Sequence, residues 1–141
     1  MKRMSPGECR AFLAEGTRCG KLATVRADGR PHVVPVWFVL DGDDLVFNTG
    51  ETSVKAQNIR RDPRVRLVVD DERFPYAYVA VDGVASLSDD LEQMRLWATR
   101  IAERYVPEGQ AEAYGARNAV PGELLVRVTP TRISGYEGIA D

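Results

Sequence analysis

Three Asp-Gly pairs, Asp28-Gly29, Asp41-Gly42 and Asp82-Gly83, break the chain into short runs rich in β-branched and aromatic residues. Asp-Gly is a strong signal for tight hairpin turns, because both residues tolerate the positive φ that such turns require. Runs at 20–26 and 31–40 therefore pair around the first turn, and a strand at 45–48 follows the second. Strands are expected at 65–70, 76–81 and 84–88, with Asp82-Gly83 turning the last two, and closing strands at 124–128 and 133–136. About seven strands without repeated βαβ alternation predict a mainly β, antiparallel barrel with a few short flanking helices.

The helices have their own signals. Ser5-Pro6 starts one that ends at Gly16, with Cys9, Phe12 and Leu13 at core spacing. Thr52-Ser53 caps a second over Val54 to Arg61, stopped by Asp62-Pro63. The third follows Ser88-Asp89-Asp90, where Leu91, Met94, Ala98, Ile101 and Tyr105 mark one buried face, and a short fourth falls near 110–117. At 141 residues the whole, 1–141, reads as a single domain.

Pro31 and Pro35 share the run 31–40, and a central strand does not accept them. That run is either a bulged edge strand or a strand whose unpaired backbone faces a planar ligand.

Several kinds of chemistry are missing. The single histidine, His32, would have to serve any Ser-His or Cys-His centre, and its place beside a turn fits a partly exposed strand residue. Gly50-Glu51-Thr52-Ser53-Val54-Lys55 lacks the second glycine and the terminal Lys-Ser/Thr of a phosphate-binding P-loop. Cys9 and Cys19 are too isolated for a metal site and are expected to be reduced. A net charge of −2 gives no field for nucleic acid, no run is apolar enough for a membrane, and the charged N-terminal segment predicts a cytoplasmic protein. What remains is a candidate anion site at the second helix: Thr49, Ser53 and Lys55 with Asn58 beyond suit a phosphate, although their spacing alone fits an ordinary capped surface helix better.

The pattern A-T-x-x-x-D-G-x-P-H-x-x-P-V-W-F over Ala23–Phe38, followed by K-x-x-N-I-R-R-D-P over Lys55–Pro63, resembles the pyridoxamine-phosphate-oxidase-like split β-barrel proteins. Within them it is most similar to the branch that binds the deazaflavin coenzyme F420. The resemblance implies an FMN-binding-like split barrel and a homodimer with cofactor sites at the subunit interface. It places Val34, Pro35, Val36 and Trp37 beside the cofactor ring and Thr49, Ser53, Lys55 and Asn58 at its phosphate tail. Some relatives carry an Arg two residues before the Lys, where this chain has Ser53. The segment 73–78, with Phe74, Pro75, Tyr76 and Tyr78, is expected either to reach the partner's site or to pack in the core or dimer. The implied activity is hydride transfer from reduced F420 to a small conjugated electrophile, with His32, Tyr76, Tyr78 or solvent as proton source. An FMN-dependent oxidase and a non-catalytic cofactor-binding protein are the alternatives.

Overall fold

The computed structural model describes residues Met1–Asp141. The elements run β1 (Lys2–Arg3), α1 (Pro6–Ala14), β2 (Gly20–Val25), β3 (Pro31–Val36), β4 (Val39–Asp41), β5 (Asp44–Gly50), α2 (Val54–Arg61), β6 (Arg64–Asp71), β7 (Ala77–Ser88), α3 (Leu91–Tyr105), α4 (Ala111–Asn118) and β8 (Glu123–Glu137). No helix is long and apolar enough to cross a membrane.

All pairings are antiparallel, in the order β3-β2-β6-β7-β8-β5-β4, and β1 joins the far end of β8. Strands β3 and β4 thus occupy opposite edges of the sheet, yet only Trp37 and Phe38 separate them in sequence. A three-bond Cα path spans at most about 11 Å, so the two edges must curl toward each other. They are not hydrogen-bonded to one another, and the result is a split barrel rather than a closed one. Phe38 fills the interior, fully buried with Phe47, Leu22, Leu67, Val79, Val81 and Val126.

The expected irregularity of the run 31–40 takes two forms. The run breaks at Trp37-Phe38, and its first half pairs only with β2, leaving β3 an edge strand. Pro31 and Pro35 are four residues apart, so their missing N–H groups fall on the same side, where a free edge tolerates them.

The Asp82-Gly83 turn is not formed. Strand β7 runs unbroken through it, because β6 on one side and β8 on the other both pair along its length. The pair instead sits at a register irregularity, where Asp82 faces Arg132 and Gly83 faces Pro130, leaving Thr131 as an extra residue on β8. A Cβ at Gly83 would lie 2.7 Å from the Thr129 carbonyl oxygen, which explains why glycine is needed there without a turn. The two expected closing strands are likewise one 15-residue strand, and the short β1 brings the count to eight. Tyr76 lies before β7 rather than in it.

The helices match their caps. Ser5 and Glu8 form a reciprocal capping box, with Ser5 N donating to Glu8 Oε1 at 2.9 Å and Glu8 N to Ser5 Oγ at 3.2 Å. Helix α3 packs Met94 and Trp97 on Val46 and Leu125, a second apolar cluster outside the barrel. Leu91, expected on that buried face, is exposed.

Candidate functional site

The break between β3 and β4 determines where Trp37 points. Phe38 turns inward and its neighbour Trp37 stays 45% exposed, lying flat on Tyr105 with ring centroids 5.1 Å apart and planes 4° apart. The end of α3 pins this segment: Arg104 Nη1 donates to Phe38 O at 2.8 Å, and the Tyr105 hydroxyl donates to Arg18 O at 2.8 Å. Arg104 also donates to Leu13 O and Gly16 O, each at 2.9 Å, so with Arg18, which donates to Phe12 O at 3.2 Å, it serves open carbonyls at and just beyond the end of α1, a helix with no basic residue in its own last turn.

Trp37 is one wall of a cleft of about 310 Å³ that Pro35, Val36, Asn48, Lys55, Ile101 and Asn118 also line. The structure thereby brings together residues from β3, β5, α2, α3 and α4. Two of its groups lack partners. Lys55 is half-buried, and while Lys2 and Lys21 are ion-paired, Lys55 is not. Burial lowers its pKa from the ordinary lysine value, and the charge of Glu123 offsets this in the opposite direction. The Asn48 amide nitrogen is buried with no acceptor. A desolvated cation and an unused donor on one wall suit an oxygen-rich anionic ligand, and Trp37 supplies a flat apolar surface beside them. These residues fit the phosphate and ring of a flavin-type cofactor.

The remaining expected site residues are placed differently. Thr49 is 6% exposed and its hydroxyl meets that of Ser53 at 2.8 Å, while Ser53 Oγ accepts from Ala56 N at 3.1 Å as the cap of α2. Asn58 is 3% exposed, donating to Thr24 Oγ1 and accepting from Arg61, each at 2.9 Å. Thr49, Ser53 and Asn58 therefore hold the start and body of α2 in place, and of the four tail residues only Lys55 lines the cleft. Val34 packs against the main core from the inner face of β3.

None of the three expected proton donors lines the cleft. His32 is opposite Thr24, and its Nδ1 is buried without a partner. Its pKa is lowered from the ordinary value, chiefly by burial and further by the charges of Arg26 and Lys55. Tyr78 contacts Tyr136, with ring centroids 5.7 Å apart, and Tyr76 lines a separate cleft at the β6–β7 connection with the exposed Phe74. Tyr76 has φ +70°, a left-handed backbone that a bulky residue rarely adopts.

Sequence reasoning missed Asn48, Arg104, Tyr105, Ile101 and Asn118 as site residues. Only Asn48 had a local signal, as a polar residue ending the apolar run Leu45-Val46-Phe47.

Known proteins agree with this architecture. The chain is 33% identical over 98 residues to the F420H(2)-dependent biliverdin reductase of Mycobacterium tuberculosis, covering 67% of this chain and 68% of that protein. Curated relatives are matched over only 39% to 68% of their own length. Among solved structures, the conserved hypothetical protein Rv2991 of Mycobacterium tuberculosis superposes with a TM-score of 0.84 at 27% identity, covering 96% of this chain and 86% of that one. An F420 reductase gives a TM-score of 0.71 at 31% identity, covering 87% of this chain and 94% of that one. The pyridoxamine 5'-phosphate oxidase family itself matches residues 5–136, nearly the full length of the split barrel, and the chain belongs to that family.

Proposed function

We propose that this protein is an oxidoreductase that uses reduced coenzyme F420 to reduce a small conjugated electrophile, working as a homodimer in the cytoplasm. The observation that carries the reading is that the unpaired, half-buried Lys55 and the exposed Trp37 line one cleft. Relatives named as F420-dependent reductases support the choice of deazaflavin over FMN. A cleft of about 310 Å³ is at the lower limit for a cofactor-sized ligand, which supports a site completed by a second copy of the chain.

When bound, the reduced deazaflavin supplies a hydride to an electrophilic carbon. Lys55 and the Asn48 amide bind the anionic and oxygen-bearing parts of the ligand. Pro35, Val36 and Trp37 orient a planar ring and keep water from its covered face. Lys55 is the only titratable side chain that one copy of the chain places on the cleft wall, and it is engaged by the anion, so the proton that completes reduction comes from solvent or from the second copy.

The test is a fluorescence titration of the purified protein with F420 and, separately, with FMN, followed by turnover on a panel of conjugated enones. F420 is expected to bind at least about tenfold more tightly, a difference of about 1.4 kcal/mol. FMN binding as tight or tighter would move the assignment to an FMN enzyme, and tight F420 binding with no turnover would favour a carrier.

A further inference from the structure

A second cleft, of about 640 Å³, lies between α1, the β4–β5 turn and the middle of β8 and shares no residue with the Trp37–Lys55 cleft. It follows from a gap in strand pairing. One edge of β8 is covered by β7; the other is covered by β5 up to Val128 and by β1 from Tyr136. Between them, Thr129 to Ser134 have no strand partner on this edge, and Met4 N donating to Gly135 O at 2.8 Å closes the gap at its far end. The extra residue Thr131 falls in this stretch, its hydroxyl donating to Asp82 O at 3.1 Å. Bulges of this kind redirect the side chains that follow them.

The walls have a definite character. Met4, Leu13, Leu40 and Ile133 supply apolar surface. Of the charges on the rim, Arg10 pairs with Asp43, and Asp44 is held by Arg127 at 3.1 Å. Arg3 and Arg132 line the same cleft and pair with no carboxylate. The rim therefore carries two uncompensated guanidinium groups above an apolar floor, with free backbone groups along β8. Guanidinium groups form their strongest hydrogen bonds with carboxylates and phosphates, and the volume lies in the range of small-molecule sites.

We propose that this cleft is a second ligand site, specific for a small amphipathic anion whose carboxylate meets Arg3 and Arg132 and whose apolar body lies on Met4, Leu13, Leu40 and Ile133. The site is independent of the cofactor cleft, and its occupant requires both parts: a charge for the rim and an apolar body for the floor.

The probe is decanoate, titrated into the full-length, isotope-labelled protein and followed by amide shifts, with decanol and inorganic phosphate as separate arms. Saturable decanoate binding is expected, with shifts centred on Met4–Cys9 and Thr131–Ile133. Decanol should bind at least about tenfold more weakly and phosphate alone should not saturate at about millimolar concentration. The double variant Arg3→Ala/Arg132→Ala alters only exposed side chains, so it should fold normally and lose at least about tenfold in decanoate affinity. Absence of saturable decanoate binding, equal binding of decanol, equal binding by the double variant, or shifts centred on Trp37 and Lys55 would each overturn the assignment.

Discussion

The Asn58 amide donates to the Thr24 hydroxyl at 2.9 Å, joining α2 to β2 through a pair of side chains that are both almost fully buried. The same Asn58 side chain accepts from Arg61, which also donates to Val25 O at 2.8 Å. Removing the amide leaves the buried Thr24 hydroxyl without its donor, while the exposed Arg61 keeps Val25 O and water as partners. Asn58→Ala is therefore expected to lower unfolding free energy by about 1–3 kcal/mol. A double-mutant cycle with Thr24→Val in urea should show coupling between the two positions. Additive effects would mean that the bond contributes nothing and that α2 is held by Ile59 and Ala56 alone.

Arg104 acts through its fork. Its three nitrogens reach carbonyls from α1, from Gly16 and from Phe38, positions that a single ammonium cannot serve together. Arg104→Lys should lower stability by about 2–3 kcal/mol and increase the mobility of Trp37, the next residue to Phe38. Chemical denaturation gives the first effect. Red-shifted Trp37 emission in a Trp97→Phe background gives the second, and an unchanged spectrum would separate Arg104 from the placement of Trp37.

Local chemistry was legible where it decided the structure locally. Ser53 and Asp62-Pro63 set both ends of α2, and Ser5 with Glu8 set the start of α1. Asp82-Gly83 misled because the same dipeptide serves a hairpin turn and a bulge, and the choice between them lies with β6 and β8, which are distant in sequence. The candidate site was half legible for the same reason. Trp37 and Lys55 lie in recognisable patterns, but Asn48 becomes an unpaired donor only once α2, α3 and α4 enclose it. Asn58 has the residue type of an anion ligand, and only the packing of α2 on β2 shows that its amide is committed elsewhere.

His32 gives a pH dependence with a definite sign. Its folded pKa is depressed from the ordinary value of 6.5, by burial first and then by Arg26 and Lys55, so the unfolded chain binds the proton more readily. The stability associated with neutral His32 is fully present above about 6.5 and is lost as pH falls through the lower folded value. His32→Gln should flatten the melting temperature in that window. It should leave the strongly acid limb intact, where Asp62, lowered to about 2 chiefly by its hydrogen bond from Arg64, loses its stabilising charge. An unchanged slope near pH 6 would mean that His32 titrates alike in both states.

Lys55 separates binding from stability most sharply. A half-buried ammonium without an ion pair costs the folded state part of its hydration, and its apolar stem shares the cleft lining with Ile101 and Trp37. Lys55→Met keeps the stem and removes the charge. The apoprotein of this variant should melt at the same temperature as the parent or slightly higher, because the desolvated charge is gone and the packing is retained. Cofactor affinity should move the other way: a charge-assisted contact to phosphate contributes about 1.5–3 kcal/mol, so F420 should bind at least about tenfold more weakly. Lys55→Arg should recover part of that loss, since the charge is restored with a different geometry. Parallel thermal melts and F420 titrations of the three proteins resolve the cases. Weaker binding together with a lower melting temperature would make Lys55 a packing residue, and unchanged affinity in Lys55→Met would remove the cleft from cofactor binding altogether.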